Sequence, residues 1–329
     1  MRIATSAPTR IDLAGGTIDI WPLYLFHPGA LTINAAISIR ARAVLESRGD
    51  QRIVIHSVDT GVTVEADDWK ELRDRRELRL LSLLVHFFEV GGVTLTTASE
   101  SPAGAGIAGS SALNVAVSAA LAQWNRTHYE PEALLQVAMN VEAQAIGVPT
   151  GLQDYRPALY GGIAALDLDV DGIRRIPLEI DPAELEARLV LCYTGEPRNS
   201  GTNNWEIFKK HIDGDRHVFD CFERLRDTAV AMRKALTAGD WDAVGGAIAR
   251  EWENRKRLAP GVTTPVIDAL IGRATQAGAT AAKVCGAGGG GCLFCFGPPA
   301  RQAAIREALA GGGARLLDFR LEKHGLSLE

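Results

Sequence analysis

The sequence predicts an α+β protein with two domains, and three observations favour this fold class. The chain has 329 residues, a length typical of about two domains. In the second half, the predicted order of strand, helices, two strands, helix and strand suits an α+β sandwich with helices on one face. The polar stretch 171–186 contains two prolines and separates the halves. We therefore expect domains at residues 1–184 and 185–329.

Apolar patterns and their breakers predict the elements of the first half. Alternating or β-branched segments indicate strands at residues 2–14, 31–46, 51–64, 93–98 and 162–168. Longer apolar segments indicate helices at residues 67–89, 111–124 and 131–146. A glycine-rich loop at 101–109 connects a strand to the second of these helices.

The same patterns predict the elements of the second half. Strands are expected at residues 188–193, 279–284, 292–296 and 314–321. Helices are expected at residues 220–238, 243–257, 264–277 and 299–309. A second glycine-rich loop at 286–291 lies between two of these strands.

Composition and charge exclude several classes of protein. The 35 lysines and arginines are outnumbered by 40 acidic residues, so a strongly basic nucleic-acid surface is not indicated. No apolar run reaches the roughly 18 residues of a membrane span, and the first residues lack the apolar core of a signal peptide. Five cysteines, an odd number, favour reduced thiols. We therefore expect a cytoplasmic protein that binds neither nucleic acid nor membrane.

Glycine is unusually frequent. The 34 glycines make up about 10% of the chain, compared with about 7% in an average protein. They cluster at residues 15–16, 104–109, 151–162 and 286–291. Because glycine is used where the backbone bends tightly or approaches a ligand closely, these clusters predict a binding site.

The loop GAGIAG at residues 104–109 permits three interpretations. It matches the dinucleotide-binding fingerprint, but no second strand ends in an acid about 20 residues later. It resembles a phosphate-binding P-loop, but Ser110 and Ser111 stand where that motif requires lysine. The third interpretation is a tight connection that uses glycine only for geometry. In the first two, free N–H groups at a helix N-terminus would face an anion.

Two acids follow this loop in the sequence. Glu142 lies late in the predicted helix 131–146, and Asp154 lies in the glycine-bounded segment GLQDYRP at 151–157. One carboxylate near phosphates can bind Mg²⁺, and another can accept a proton from a hydroxyl nucleophile. The alternative is a helix-terminal acid and a turn aspartate without a catalytic role.

Three weaker features have two interpretations each. Cys292 and Cys295 form a C-x-x-C within an apolar strand, which favours buried thiols over a zinc site. Trp69 is a candidate to flank adenine, although its charged neighbours are typical of a solvated helix face. Arg198 suits a bidentate contact to a substrate phosphate, or is a surface arginine.

Three motifs, taken in order, resemble those of the GHMP kinases, the family of galactokinase, homoserine kinase and mevalonate kinase. They are APTRIDLAGGTID at 7–19, PAGAGIAGSSA at 102–112 and KVCGAGGGGCLF at 283–294, so the resemblance spans essentially the whole chain. It implies an N-terminal domain like the second domain of ribosomal protein S5 and a ferredoxin-like C-terminal domain. It also implies ATP and Mg²⁺ as cofactors.

The resemblance implies roles for individual residues. Asp154 matches the catalytic carboxylate, and Arg10 matches the basic residue that accompanies it. Glu142 and a hydroxyl of Ser110 or Ser111, with Ser110 preferred, match the Mg²⁺ ligands. The residues expected to bind nucleotide phosphates are Pro102, Gly104, Ala105, Gly106, Ile107, Ala108, Gly109, Ser110 and Ser111. The residues expected to bind substrate are Asp19, Gly15, Gly16, Thr17, Gly288 and Gly289.

Within the family, the motifs are most similar to those of the D-glycero-D-manno-heptose 7-phosphate kinases. The ends of the segment 14–19 and the Gly-x-Gln-Asp of 151–154 agree with that group, and residues 17–18, 108 and 155–157 depart from it. The resemblance implies transfer of the γ-phosphoryl group of ATP to a sugar or sugar phosphate, at the anomeric 1-OH of a heptose 7-phosphate or related sugar. Another acceptor (a galactose- or fucose-type sugar, mevalonate or homoserine) and a non-catalytic sugar or nucleotide sensor remain as alternatives. A dinucleotide oxidoreductase is disfavoured by the missing second strand.

Overall fold

Two β-sheets with helices packed against them form the protein. The computed structural model describes residues 1–197 and 200–328. Among these residues, the larger sheet consists of β1 (Arg2–Ala14), β2 (Leu31–Ser47), β3 (Ile53–Ser57), β4 (Val62–Ala66), β5 (Val93–Ser99), β6 (Ile163–Asp169), β7 (Gly172–Pro177) and β12 (Ser327–Leu328). The smaller sheet consists of β8 (Leu189–Tyr193), β9 (Ala281–Val284), β10 (Cys292–Phe296) and β11 (Arg315–Leu317).

The 17-residue strand β2 organises the larger sheet. On one edge it pairs antiparallel with β1 from Glu46 to Ile33. On its other edge, its first residues pair with β6 and its last residues pair with β5. Every residue of β1 from Ile3 onward is buried. The charged residues of the first motif that lie on β1 are therefore enclosed by protein on all sides.

Helix α2 lies at the centre of the first half. The helices described there are α1 (Arg79–Phe88), α2 (Gly109–Trp124), α3 (Pro131–Ile146), α4 (Tyr155–Tyr160) and α5 (Pro182–Glu186). Helix α2 packs against β1 and β2, and its buried residues include many alanines. Small side chains allow the helix backbone to approach the sheet closely, and the Thr5 hydroxyl on β1 donates to the Ala116 carbonyl at 2.8 Å. The middle of α2 is thereby held against β1.

Helices cover both faces of the smaller sheet. Those described in the second half are α6 (Ser200–Ile212), α7 (Arg216–Ala238), α8 (Trp241–Arg255), α9 (Pro265–Gln276) and α10 (Gln302–Gly311). Leu191 and Phe294 belong to the same apolar cluster as Ile248 of α8, whereas Leu293 belongs to the cluster of Leu270 in α9. Since successive strand residues point to opposite faces, the expectation of helices on one face is wrong.

Most predicted elements are confirmed within a few residues, and the differences have local causes. The predicted strand at 51–64 is the hairpin of β3 and β4. The predicted helix at 67–89 is a short 3-10 helix, Trp69–Asp74, followed by α1. Residues 75–77 between them are exposed and charged, so a continuous helix has no apolar face to bury there. The predicted strand at 314–321 shortens to β11. The elements that were not predicted are β7, β12, α4, α5 and α6.

The end of the chain returns to the larger sheet. The Ser38 N–H donates to the Arg320 carbonyl at 2.9 Å, and β12 pairs with β1. The polar stretch 171–186 contains β7 and α5. The division at residue 184 stays a prediction. In the described part of the chain, no helix has the length and apolar character needed to cross a membrane.

Candidate active site

The loop between β5 and α2 presents the N-terminus of α2 to solvent. Gly104 and Gly106 have φ values of 66° and 78°, and Ala108, which precedes the first helical residue, has φ of 62°. A left-handed alanine costs roughly 1–2 kcal/mol. Its methyl side chain makes no capping hydrogen bond to the first N–H groups of α2. These N–H groups are consequently available to an anion, such as a phosphate.

The first and third motifs hold this loop from both sides. The Arg10 backbone N–H donates to the Ile107 carbonyl at 3.0 Å, and its Nη1 donates to the Gly106 carbonyl at 2.9 Å. From the smaller sheet, the Cys292 N–H donates to the Ala105 carbonyl at 2.6 Å. A Cβ at Gly291 would lie 2.6 Å from that carbonyl oxygen, so only glycine allows this approach. All three motifs therefore meet at one place.

Glu142 is a buried carboxylate surrounded by donors. Ser110 Oγ donates to its Oε1 at 2.8 Å. Ser111 Oγ and Tyr155 OH donate to its Oε2 at 3.2 and 2.6 Å, respectively. Burial raises the pKa of Glu142, and the hydrogen bonds from Tyr155 and Ser110 oppose this effect. Ser110 is exposed whereas Ser111 is buried.

Asp154 is held by Arg10 at the start of α4. Arg10 Nε and Nη2 both donate to Asp154 Oδ1, at 3.0 and 2.5 Å. Arg10 is 1% exposed, whereas the Asp154 side chain is 24% exposed. Although burial opposes the charge of Arg10, the carboxylates of Asp154 and Asp12 raise the pKa of its guanidinium. The pair thus joins an enclosed, permanently charged cation to a carboxylate that reaches solvent.

Asp19 lies directly behind the Asp154 segment. It is fully buried, and its Oδ2 accepts the Gln153 N–H at 2.8 Å. A Cβ at Gly151 would lie 2.4 Å from the same oxygen, so the loop wraps tightly around Asp19. Burial and the neighbouring Asp154 carboxylate raise the pKa of Asp19 from 3.8 to about 6. Asp19 is therefore an acid whose ionisation is sensitive to what binds beside it.

A buried ionic network lies beneath Gly15 and Gly16. Lys283 Nζ donates to Asp12 Oδ2 at 2.6 Å, and both side chains are 0% exposed. Burial opposes the ionisation of Asp12, but the cations Lys283, Arg10 and Arg255 outweigh it and lower its pKa to about 2. Arg255 pairs with Glu251 at 3.0 Å, and Glu251 accepts the Gly15 N–H.

Sequence reasoning assigned no role to these four network residues. A signal existed for Lys283, because it interrupts the apolar strand β9, and for Asp12, because it lies between Ile11 and Leu13. Glu251 and Arg255 give no comparable signal, since an i, i+4 pair on a helix is typical of an exposed surface.

A cleft of about 380 Å³ connects the phosphate loop to the carboxylates. Of the residues assigned from sequence, it is lined by Pro102, Gly104, Ala105, Gly106, Ala108, Gly109, Ser110, Ser111, Glu142 and Asp154. Ile107 is buried, with its carbonyl bonded to Arg10. Asn204 of α6, which sequence reasoning missed, also lines the cleft.

The remaining predicted site residues lie outside the cleft lining. Arg10, Asp19, Gly15, Gly16 and Thr17 lie behind it. Gly288 and Gly289 pack against the Val262 carbonyl, which accepts the Gly289 N–H at 2.8 Å.

The three weaker features have separate outcomes. Trp69 packs against His86 and is not among the cleft residues. Cys292 and Cys295 are buried, free thiols in β10, as the apolar strand predicts. Arg198 lies outside the described residues.

Comparison with known families identifies the class of protein. Residues 76–162 match the GHMP kinases N terminal domain, and residues 232–314 match the GHMP kinases C terminal model. Together these matches cover more than half of the chain. The chain belongs to the GHMP kinase family and has its two-domain α+β fold, so it is a kinase, as the three motifs predict.

Particular relatives extend over the whole chain. A D-glycero-alpha-D-manno-heptose 7-phosphate kinase of Campylobacter jejuni is 28% identical over 98% of both chains. A mevalonate kinase of Thermococcus sibiricus is 26% identical over 100% of this chain and 99% of its own. Among solved structures, a D-glycero-D-manno-heptose 1-phosphate kinase from Bacteroides thetaiotaomicron superposes with a TM-score of 0.80. It is 24% identical and covers 99% of this chain and 98% of its own, so this likeness shows the fold alone.

Proposed function

We propose that this kinase transfers the γ-phosphoryl group of ATP to a sugar hydroxyl, the anomeric 1-OH of a heptose 7-phosphate or a related sugar. One observation carries the proposal: a single cleft joins the free N-terminus of α2 to the Arg10–Asp154 pair. Phosphates at the helix and a hydroxyl at the carboxylate would then be neighbours. The similarity to the heptose 7-phosphate kinase of Campylobacter jejuni supports the choice of sugar.

In this proposal, the phosphate loop and the charged pair divide the work. The N–H groups at the start of α2 bind phosphate oxygens. Asp154 orients the sugar hydroxyl and accepts its proton, while Arg10 keeps Asp154 in place and offsets its charge. A loose phosphoryl-transfer transition state needs positioning and charge neutralisation more than a strong base. A carboxylate is therefore an adequate proton acceptor here.

The residues around Glu142 fit a magnesium ion. Mg²⁺ prefers oxygen ligands and is usually held by one or two carboxylates together with substrate phosphates. Glu142 Oε1 and the exposed Ser110 hydroxyl provide such oxygens beside the phosphate loop. We therefore infer that Glu142 and Ser110, rather than the buried Ser111, hold the ion. When bound, it would neutralise charge on the nucleotide phosphates.

Turnover with a panel of acceptors tests the sugar. ADP release would be measured with ATP and Mg²⁺ over free and phosphorylated hexoses and heptoses, with mevalonate and homoserine in the same panel. The proposal expects release with sugars, highest with a heptose 7-phosphate. Release only with mevalonate or homoserine would overturn it, and ligand binding without any release would indicate a sensor.

We also propose a cytoplasmic location, supported by five free, buried cysteines.

Replacing the proton acceptor tests the role of Asp154. Asp154→Asn keeps the side-chain size but removes the charge that Arg10 pairs with and that accepts the proton. We expect kcat to fall about 100-fold or more, with ATP affinity within about threefold of wild type. The measurement is steady-state ADP release together with nucleotide binding by calorimetry.

Asp318→Asn provides the matched control, because this aspartate is 90% exposed and pairs with Arg306. That variant should keep the wild-type kcat. An Asp154→Asn enzyme with near wild-type turnover would show that another group accepts the proton.

A further inference from the structure

Unpartnered polar atoms concentrate beside the first glycine motif. Nine buried side-chain nitrogen or oxygen atoms in the described part of the chain have no hydrogen-bond partner. Four of them are Asp19 Oδ1, Gln153 Oε1, Glu251 Oε2 and Arg255 Nε. A buried polar atom without a partner is costly, so a concentration of such atoms requires an explanation. A ligand that supplies the missing hydrogen bonds is one.

The four atoms belong to residues that surround the segment from Gly15 to Asp19. A Cβ at Gly16 would lie 2.6 Å from Arg255 Nη2 and 3.0 Å from Gln153 Nε2. The Gln153 N–H donates to Asp19, and Glu251 accepts the Gly15 N–H. The side chains therefore form one group that extends from the first motif to the residue before Asp154.

Gln153 is the member of this group that the ionic network does not explain. Glu251 and Arg255 pair with each other at 3.0 Å, and Asp19 is bound by the backbone of Gln153. The Gln153 side chain is 5% exposed, and its Oε1 has no partner among the described residues. The Gln153 Oε1 acceptor is therefore open to a donor that a ligand supplies.

The chemistry of the missing partners indicates hydroxyl groups. Three of the four atoms are acceptors, and two of these acceptors belong to carboxyl groups, so a carboxylate or phosphate would be repelled. A hydroxyl both donates and accepts, and a sugar offers several on adjacent carbons. The Thr17 hydroxyl donates to Asn204 Oδ1 at 3.5 Å, and Asn204 lines the cleft, so the first motif is connected to the cleft beside this group.

Building on the proposed function, we propose that Gln153 is a specificity-determining residue that hydrogen-bonds one hydroxyl of the acceptor sugar while Asp19 binds its neighbour. The polyhydroxyl part of the substrate lies against Gln153 and Asp19, and any phosphate it carries lies away from them. Because Gln153 precedes Asp154, a sugar held in this way presents a further hydroxyl to the Asp154 carboxylate.

Single-hydroxyl analogues test this inference. The best sugar of the acceptor panel and its deoxy analogues would be compared in wild type and Gln153→Met, which replaces the amide by an apolar chain of similar size. We expect the variant to raise KM for the sugar about 10-fold or more and to leave KM for ATP unchanged. In wild type, one deoxy analogue should have a KM raised by a similar factor, because it lacks the hydroxyl that Gln153 binds. In the variant, the KM for this analogue should rise little further.

Two further variants keep the test decisive. Gln302→Met is the matched control, because Gln302 Oε1 on α10 also has no partner but lies outside this group; its KM values should stay at wild type. Gln153→Asn retains the amide on a shorter chain, and we expect an intermediate KM for the sugar. If Gln153→Met does not fold, the smaller rise in KM for the sugar in Gln153→Asn, with an unchanged KM for ATP, is the test.

The outcomes separate this inference from the proposed function. The inference alone is overturned if wild type phosphorylates a sugar and the Gln153 variants discriminate among deoxy analogues as wild type does. A uniform loss for every analogue and for ATP indicates a merely structural role and also overturns it. Wild type that uses no sugar overturns the proposed function, and the inference with it.

Discussion

The buried carboxyl group of Asp19 lowers the stability of the folded protein at neutral pH. Its folded pKa of about 6 lies above the ordinary 3.8, so the folded state prefers the protonated acid. The penalty is absent well below pH 3.8 and is complete above pH 6, when the buried carboxylate is ionised. Asp19→Asn removes the charge, and we expect it to be about 1–3 kcal/mol more stable than wild type at pH 7. Urea unfolding at pH 7 and pH 4 measures this difference.

The pH dependence distinguishes this cause from a change in packing. At pH 4 the folded wild type already binds the proton, so the advantage of Asp19→Asn should fall below about 1 kcal/mol. Asp171→Asn, at an exposed turn, is the control and should match wild type at both pH values. An Asp19→Asn protein that is less stable than wild type at pH 7 would contradict the assignment.

At the scale of elements, two histidines join α6 to the short 3-10 helix at Leu23–Phe26. His27 Nε2 lies 2.8 Å from His211 Nε2, and His27 Nδ1 lies 2.5 Å from Glu223 Oε1 on α7. Burial and, to a smaller extent, the neighbouring His27 lower the pKa of His211 to about 4. Burial likewise lowers the pKa of His27, which Glu223 opposes and Arg226 reinforces. The joint is therefore most stable when both rings are neutral.

Protonation should loosen this joint as the pH falls. The unfolded histidine binds a proton near pH 6.5, whereas the folded one resists until about pH 4, so stability is lost through this interval. We expect the unfolding free energy of His211→Gln to fall by about 1–2 kcal/mol less than that of wild type between pH 7 and pH 5. Urea unfolding at the two pH values gives the comparison.

A surface histidine provides the control for this prediction. His128 is 87% exposed and pairs with the exposed Glu130, so His128→Gln should follow the wild-type pH dependence. If His211→Gln and wild type lose the same free energy between pH 7 and pH 5, the histidine joint does not titrate as described.

At the scale of the whole molecule, the Lys283–Asp12 pair connects the two sheets. Lys283 lies on β9 of the smaller sheet and Asp12 on β1 of the larger one, and both are fully buried. Lys283 also donates to the Asp12 carbonyl, and the Asp12 carboxylate accepts the Gly286 N–H. Removing one partner of a buried pair leaves a charge without compensation, which costs about 3–5 kcal/mol. We expect this loss for Lys283→Met, measured by urea unfolding at pH 7.

Two comparisons make this prediction specific to the buried pair. Arg2→Met breaks an ion pair with Glu46 whose side chains are 61% and 53% exposed, and it should cost less than about 1 kcal/mol. The double variant Asp12→Asn/Lys283→Met removes both charges and should recover part of the loss. A Lys283→Met protein within about 1 kcal/mol of wild type would show that the sheets are held mainly by their apolar contacts.

Local patterns in the sequence were sufficient to predict most elements and to identify residues that the structure brings together in one cleft. The glycines at 104–109 and the acids Glu142 and Asp154 stand out because a phosphate loop and its carboxylates have strong local requirements. The bounds of most strands and helices were predicted within a few residues, because apolar periodicity is also a property of neighbouring residues. Helix α4 was missed because it has only six residues, too few to show a helical period.

Contacts between distant parts of the chain were decided by the tertiary structure alone. Asp12 and Lys283 are separated by 271 residues, and only the packing of the two sheets shows that each charge compensates the other. The burial of Gln153 and the return of β12 to β1 depend in the same way on segments far apart in sequence. Each motif is a local run of residues, and the motifs together indicate a kinase. Hydrogen-bond satisfaction and desolvation, in contrast, are set by every atom that packs nearby.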